Sequence, residues 1–392
     1  MEEKRLKILM IPAWYDISNP QTGSFFHEFA QALGKFHDVS LLKTDYFSFS
    51  QSIPDNLTDS IGNKSYKYFE FFYKNKFPLK LLKSSVSRER NRMLKKANKA
   101  IDEIQKKHGS FDAVHLLSAC HMVTPLIAKS ISERNNIPLI ITEHFSGFQR
   151  LSNDFYAPFA TLSEIKEIVN NASLRIGVSE KSSKNYSNFF NSEFDVCHNL
   201  IPDHFIPDQI PDRSSDLFNF LIVGHLNENK GQLRVLRAFH EISEKREDLR
   251  LTIIGKGNLK ESLINFISQH DLTDKVNLIN EVSREGIIRN FDQCDVLLST
   301  SIVETFGLTL VEAHFRGKPV ISTRSGGPNE IINEQNGVLI EPDNHEELVE
   351  AMNSIINNYS KFNPRLISEK AISLYSEKAI VERMNEFYSS VI

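Results

Sequence analysis

Apolar residues along the chain fall into short blocks that alternate between two periods. Lys7 to Ile11 is a brief apolar run of strand length, and Phe25, Phe26, Phe29, Ala30 and Leu33 recur at helical spacing behind Ser24, a residue able to cap a helix. Between them, Pro12 to Gly23 carries Asp16, Asn19, Pro20 and Gly23, which predict a loop. The alternation continues through strands at Val39–Leu42, Ala113–Leu117, Pro138–Thr142 and Leu174–Val178. Helices are predicted at Arg88–Lys107 and Val123–Arg134, and from a Ser179 cap toward Phe189. Strand and helix in turn imply a parallel sheet covered on both faces.

The pattern breaks at IPDHFIPDQIPDRSSD, residues 201–216, where repeated prolines block both helix and central strand. This stretch reads as a linker between a first domain, 1–200, and a second, 217–372. Alternation restarts with strands at Phe218–Val223, Leu251–Ile254 and Val276–Leu278, and helices at Gly231–Glu244, Asn258–His270 and Ser283–Phe291. An α/β unit follows: strand Val296–Leu298, a loop with Glu304, a Phe306-Gly307 turn, a helix bearing Glu312 and ended by Gly317, strand Pro319–Ser322, then Gly326-Gly327. Residues 373–392 hold an amphipathic helix with Ile380, Met384, Phe387 and Tyr388 on one face.

A chain of 392 residues is long for one core, which agrees with two domains. Its three cysteines, Cys120, Cys197 and Cys294, are widely spaced and form neither a disulfide framework nor a zinc pattern. No signal peptide or spanning run is evident, so a cytoplasmic protein is expected. Charge is uneven: the net value is −4, yet Lys64 to Ser110 holds 14 Lys/Arg against 4 Asp/Glu, interleaved with Tyr66, Tyr68, Phe69, Phe71, Phe72, Tyr73 and Phe77. Basic residues among aromatics suit the anionic inner face of a membrane, whereas the acidic remainder disfavours nucleic acid. The competing reading is a solvated helix whose aromatics face the core.

Four places carry the residue types that hold a nucleotide diphosphate. Gly23 precedes a helix and lets backbone N–H groups approach a phosphate. In VGHLNENKG, Val223 to Gly231, His225 and Lys230 lie where a strand hands over to a helix, so both can face an anion. Glu304 and Glu312 bracket the next helix start and can accept hydrogen bonds from sugar or ribose hydroxyls. His144, in ITEHFSG, follows a strand end.

The run ETFGLTLVEAHFRGKPVIS with its downstream GG pair, joined to VGHLNENKG, to IPAWY…GSFFHEFAQAL and to RIGVSE, resembles the retaining glycosyltransferases of family 4. That resemblance implies the GT-B architecture: two facing Rossmann-like, doubly wound domains, with the C-terminal helix crossing back to the first. It implies transfer of a sugar from a nucleotide diphosphate sugar, a UDP-sugar, to a glycan or lipid-linked acceptor. Under it, Lys230 holds the donor diphosphate and Gly23 closes on it. Glu304 contacts the transferred sugar, Glu312 the ribose, and His144 the sugar, while the N–H groups of Phe306, Gly307 and Leu308 meet phosphate or sugar. His225 stands where the family usually has arginine, and Asn280 to Val282 where it often has glycine before the nucleobase loop; Val282 is therefore a donor-side candidate. With no Asp-x-Asp pair in the chain, metal-independent transfer is expected and no cofactor beyond the nucleotide sugar. A non-catalytic nucleotide-sugar-binding subunit and a nucleotide-sugar epimerase of the same fold are the alternatives.

Overall fold

The computed structural model describes residues 5–14, 23–47, 57–59, 65–74, 83–120, 123–149, 160–211, 213 and 215–392. The turn residues Asp16, Asn19 and Pro20, together with Lys64 and Phe77, lie outside them. Two compact units emerge, Met1–Leu200 with Glu377–Ile392, and Ile201–Ser376.

The first unit runs β1 (Lys7–Pro12), α1 (Ser24–Gly34), β2 (Asp38–Phe47), β3 (Leu57–Asp59), β4 (Lys67–Lys74), α2 (Lys83–His108), β5 (Ala113–Leu117), α3 (Thr124–Asn135), β6 (Leu139–Glu143), α4 (Leu162–Asn170), β7 (Leu174–Gly177), α5 (Glu180–Phe190) and β8 (Asp195–Val196). Its sheet has the order β3-β4-β2-β1-β5-β6-β7-β8. Every pairing is parallel except β3 with β4. β1 shows why both faces are apolar: Leu9 and Ile11 join the core under α2, α3 and α4, while Ile8 and Met10 join the one under α1. Alternate residues of one strand serve opposite faces, so a central strand reads as an unbroken apolar run.

Two expectations need correction. Ser24 does not cap α1; the capping position is Gly23, with φ +70 and no side-chain bond. A Cβ there would sit 2.4 Å from the Trp14 carbonyl oxygen, so close approach and left-handed geometry both demand glycine. The aromatic run ahead of α2 is not surface: Tyr68, Phe69, Phe71 and Tyr73 belong to β4, register with β2, and are at most 5% exposed. Among the described residues, α2 carries most of the segment's solvent-facing positive charge.

The second unit runs β9 (Phe218–Val223), α6 (Gln232–Ser243), β10 (Leu249–Ile254), α7 (Lys260–Gln269), β11 (Val276–Ile279), α8 (Arg284–Gln293), β12 (Val296–Ser299), α9 (Leu308–Phe315), β13 (Val320–Thr323), α10 (Pro328–Ile331), β14 (Gly337–Ile340), α11 (His345–Asn357) and α12 (Pro364–Tyr375). Its sheet is wholly parallel, in the order β11-β10-β9-β12-β13-β14. The proline-rich stretch folds with this unit, because fully buried Phe205 anchors it and its carbonyl accepts a 3.1 Å bond from Arg316. No helix among the described residues is long and apolar enough to cross a membrane.

The last helix, α13 (Glu377–Val391), packs in the first unit through Ile380, Met384, Phe387 and Tyr388. Its polar anchor is His115 of β5, fully buried, whose Nδ1 meets the Tyr388 hydroxyl at 2.8 Å and whose Nε2 meets Thr142 Oγ1 at 2.8 Å. Burial pushes the His115 pKa down to about 3, so the ring is neutral. In the unfolded chain it protonates near its ordinary value of about 6.5. Its contribution to stability is therefore complete above that pH and is lost as pH falls toward 3, at a rate approaching about 1.4 kcal/mol per pH unit. Urea unfolding at pH 7.5 and 5.0 should show a smaller pH dependence in His115→Asn than in the parent, although the variant is less stable at pH 7.5.

Candidate functional site

In the second unit the carboxyl ends of β9 and β12 carry two loops that are stitched together. Asn229 makes three of the stitches: its side-chain amide donates to the Val303 carbonyl at 3.1 Å, its Oδ1 accepts from Val303 N–H at 3.1 Å, and its carbonyl accepts from Ile302 N–H at 2.8 Å. Thr300 Oγ1 adds bonds of 3.2 Å to the carbonyls of Lys230 and Gly231. Gly231 caps α6 at φ +74, and a Cβ there would lie 2.6 Å from Thr300 Oγ1, so the loops close only over glycine.

This stitching brings Lys230 to Glu304. The ammonium donates to Glu304 Oε2 at 2.5 Å, and Ser301 Oγ donates to the same oxygen at 3.2 Å. Glu304 is held along its backbone as well, its N–H bonded to the Ser325 carbonyl and its carbonyl to Gly327 N–H. Gly307, at φ +107, caps α9, and a Cβ on it would be 3.7 Å from Glu304 Cγ, so the carboxylate lies over the start of that helix. Phe306 is buried beneath, and Leu308 opens α9, whose first N–H groups have no acceptor within the helix. A cation, a carboxylate and a helix N-terminus thus share one place, an arrangement suited to a ligand with both anionic and hydroxyl groups.

The remaining candidates are placed differently. Glu312, 6% exposed, faces α8, where Arg284 lies 3.4 Å away and covers the Phe205 ring at 4.8 Å. His225 is exposed, and its carbonyl accepts from Gln232 Nε2 at 3.1 Å. Val282 is half-buried before α8. Gly23 and His144 belong to the first unit, where the His144 ring lies 5.0 Å from Phe25 and 5.2 Å from Phe26, both on the helix that Gly23 caps. Burial, with a smaller contribution from His115, lowers the His144 pKa to about 3. Neutral, it can donate from one nitrogen and accept at the other.

Residues 208–372 match the model of a family described as glycosyl transferases group 1. They belong to that family. The chain is similar to the gpi3 subunit of the phosphatidylinositol N-acetylglucosaminyltransferase of Schizosaccharomyces pombe, 26% identical over 195 residues, 49% of this chain and 42% of that one. A D-inositol 3-phosphate glycosyltransferase of Pseudarthrobacter chlorophenolicus is 24% identical over 279 residues, 66% of each chain. The chain spans about half the length of the first of these relatives. Among solved structures, sucrose-phosphate synthase of Thermosynechococcus elongatus superposes with a TM-score of 0.74 at 18% identity over 98% of this chain and 99% of that one. Anabaena HepE in complex with UDP and glucose gives 0.69 at 18% identity over 98% and 100%. The fold is GT-B, with two Rossmann-like units.

Two residues are not among the sequence candidates, Lys256 inside the matched region and Glu143 outside it. Lys256 follows β10 between Gly255 and Gly257, pairs with Glu281, and accepts the Leu226 N–H on its carbonyl at 2.7 Å; its signal was the Gly-Lys-Gly spacing. Glu143 ends β6 fully buried, and its carboxylate gathers the Ser118 hydroxyl and the N–H groups of Ala119 (2.8 Å), His144 (2.9 Å) and Phe145 (2.8 Å). Burial raises its pKa, opposed by these four donors. Ser118 sits at φ +74, a conformation costly for a residue with a Cβ, and its bond to Glu143 holds it there. Glu143 therefore fixes both the β5 loop and the peptide that presents His144. A glutamine would turn its NH2 toward a donor, so Glu143→Gln should lower the unfolding free energy in urea by about 1–3 kcal/mol.

Proposed function

We propose that the chain is a retaining glycosyltransferase that moves a sugar from a nucleotide diphosphate sugar, a UDP-sugar, to a glycan or lipid-linked acceptor without a metal ion. The observation that carries this reading is the Lys230–Glu304 pair over the start of α9. A donor's diphosphate is a better partner for the ammonium than one carboxylate, because it brings more charge and more acceptor oxygens. Its arrival releases Glu304 to accept from hydroxyls of the transferred sugar. As the bond between the anomeric carbon and the β-phosphate oxygen breaks, negative charge grows on the diphosphate, where Lys230 and the α9 N–H groups stabilise it. The acceptor hydroxyl attacks the anomeric carbon from the face the diphosphate leaves and passes its proton to the departing phosphate oxygen. Neutral His144 contributes hydrogen bonds to the sugar rather than charge. Glu312 serves the ribose once Arg284 shares it, Val282 borders the nucleobase, and exposed His225 adds one donor where a guanidinium fork would add two. The names of the inositol-directed relatives support glycosyl transfer, and the UDP and glucose bound to HepE support a sugar nucleotide as donor.

The test is release of UDP from a panel of UDP-sugars and acceptors in excess EDTA, with the anomeric configuration of the product read by NMR. Glu304→Gln should cut turnover about 100-fold or more while leaving UDP affinity unchanged or tighter, since Lys230 is freed. Lys230→Ala should weaken UDP about tenfold or more. Turnover that survives both changes overturns the assignment, and UDP binding without turnover on any donor favours the accessory-subunit reading.

We further propose peripheral contact with anionic lipid through α2. Its inner face buries Met93, Ala97, Ile101 and Ile104, while Arg88, Lys95, Lys99 and Lys106 point to solvent within one stripe. The triple change Lys95→Glu, Lys99→Glu, Lys106→Glu should abolish cosedimentation with phosphatidylglycerol vesicles at low salt. Binding that ignores both salt and these changes rules the contact out.

A further inference from the structure

Behind the stitched loops the second unit contains a cavity of about 610 Å³, inside the range of roughly 300–1,000 Å³ usual for small-molecule sites. Neither Lys230 nor Glu304 lines it. Its walls come from α6, α7, the start of α11 and the ends of β12, β13 and β14. Arg234 and Arg237 supply two positive charges, and Glu241, Glu244, Glu341 and Asp343 supply four negative ones. Phosphate or another small polyanion would therefore meet a net negative wall. A ligand rich in hydroxyl groups fits better, since hydroxyls donate to carboxylates and accept from guanidinium groups. Phe266, stacked on His270 at 4.1 Å, adds an aromatic wall for the C–H face of a sugar ring.

Arg234 connects this cavity to the loops in front of it. Its Nη2 donates to the Thr300 carbonyl at 2.8 Å, and its guanidinium lies against Gly231, where a Cβ would be 2.7 Å from Cζ. Its Nη1 is 3.8 Å from Asp343, and its Nε is buried with no acceptor. A buried donor of that kind is costly, and a ligand oxygen would relieve it. Any ligand that draws Arg234 toward the cavity also shifts Thr300, and through it the carbonyls of Lys230 and Gly231.

We propose that this cavity is a second ligand site, for a neutral oligosaccharide, and that Arg234 couples its occupancy to nucleotide binding at Lys230. The oligosaccharide site is independent of which donor the protein uses and of whether it transfers sugar. Saturation-transfer NMR on the full chain, with maltotriose, cellotriose, mannotriose and chitotriose as probes, reads it directly. At least one probe should give transfer that Arg237→Ala/Glu244→Ala reduces about tenfold; both residues are exposed at the rim, and circular dichroism verifies that the variant is folded. Saturating that probe should change the Kd for UDP about twofold or more, and UDP should change the probe's affinity by the same factor. In Arg234→Lys this coupling should vanish while the probe still binds. No transfer from any of the four probes, transfer unaltered by the rim changes, or a probe that binds without altering UDP affinity overturns the proposal. UDP bound with no transfer from any probe would overturn this site alone; failure to bind UDP would count against the glycosyltransferase reading instead.

Discussion

In the second unit each parallel strand is followed by the next only after the chain returns through a helix, so the loops that leave the carboxyl ends collect at one edge of the sheet. There the strands have stopped pairing and the helices have not started, which leaves backbone donors and acceptors without regular partners. Most of what distinguishes this protein follows from how that edge is satisfied. In the second unit the loops after β9 and β12 satisfy one another, through Asn229 and Thr300, and the Lys230–Glu304 pair is the result. The first unit uses one buried carboxylate, Glu143, to collect four donors from two loops.

The two solutions differ in electrostatic cost. Lys230 and Glu304 remain partly exposed, at 32% and 15%, so water screens the pair and either partner can exchange it for a ligand. Glu143 has no such freedom, because a carboxylate removed from water persists only while its donors stay in place. The first arrangement is open to exchange, and the second is a fixed scaffold. His144 gains from being on the fixed one, since its peptide is set by Glu143 and its ring by Phe25 and Phe26.

Much of the fold was legible in the sequence, because apolar runs of strand length alternate with helical spacing and glycines mark the handovers. The parallel sheets and the two units expected from those features are observed, and so is the GT-B fold that the family resemblance implied. β4 escaped because Lys67–Lys74 presents nearly continuous aromatics inside a segment whose charge count dominated the reading; a strand buried on both faces lacks the alternation that reveals an edge strand. Lys230 and Glu304 were drawn from separate motifs, and their meeting needed the sheet order that places β9 beside β12. Glu143 with Ser118, and Glu312 with Arg284, are pairs distant in sequence that no local pattern announces. Arg234 and the Thr300 carbonyl, 66 residues apart, are another such pair.

The return of α13 to the first unit has a consequence for synthesis. Ile201–Ser376 is inserted, in chain order, between the bulk of the first unit and its last helix. A ribosome adding about 5–20 residues per second needs roughly 10–35 s to traverse that insertion. Through that interval Ile8, Met10 and His115 lack the helix that covers them, and the histidine lacks the Tyr388 hydroxyl. The second unit has all its strands before the last helix of the first unit is made.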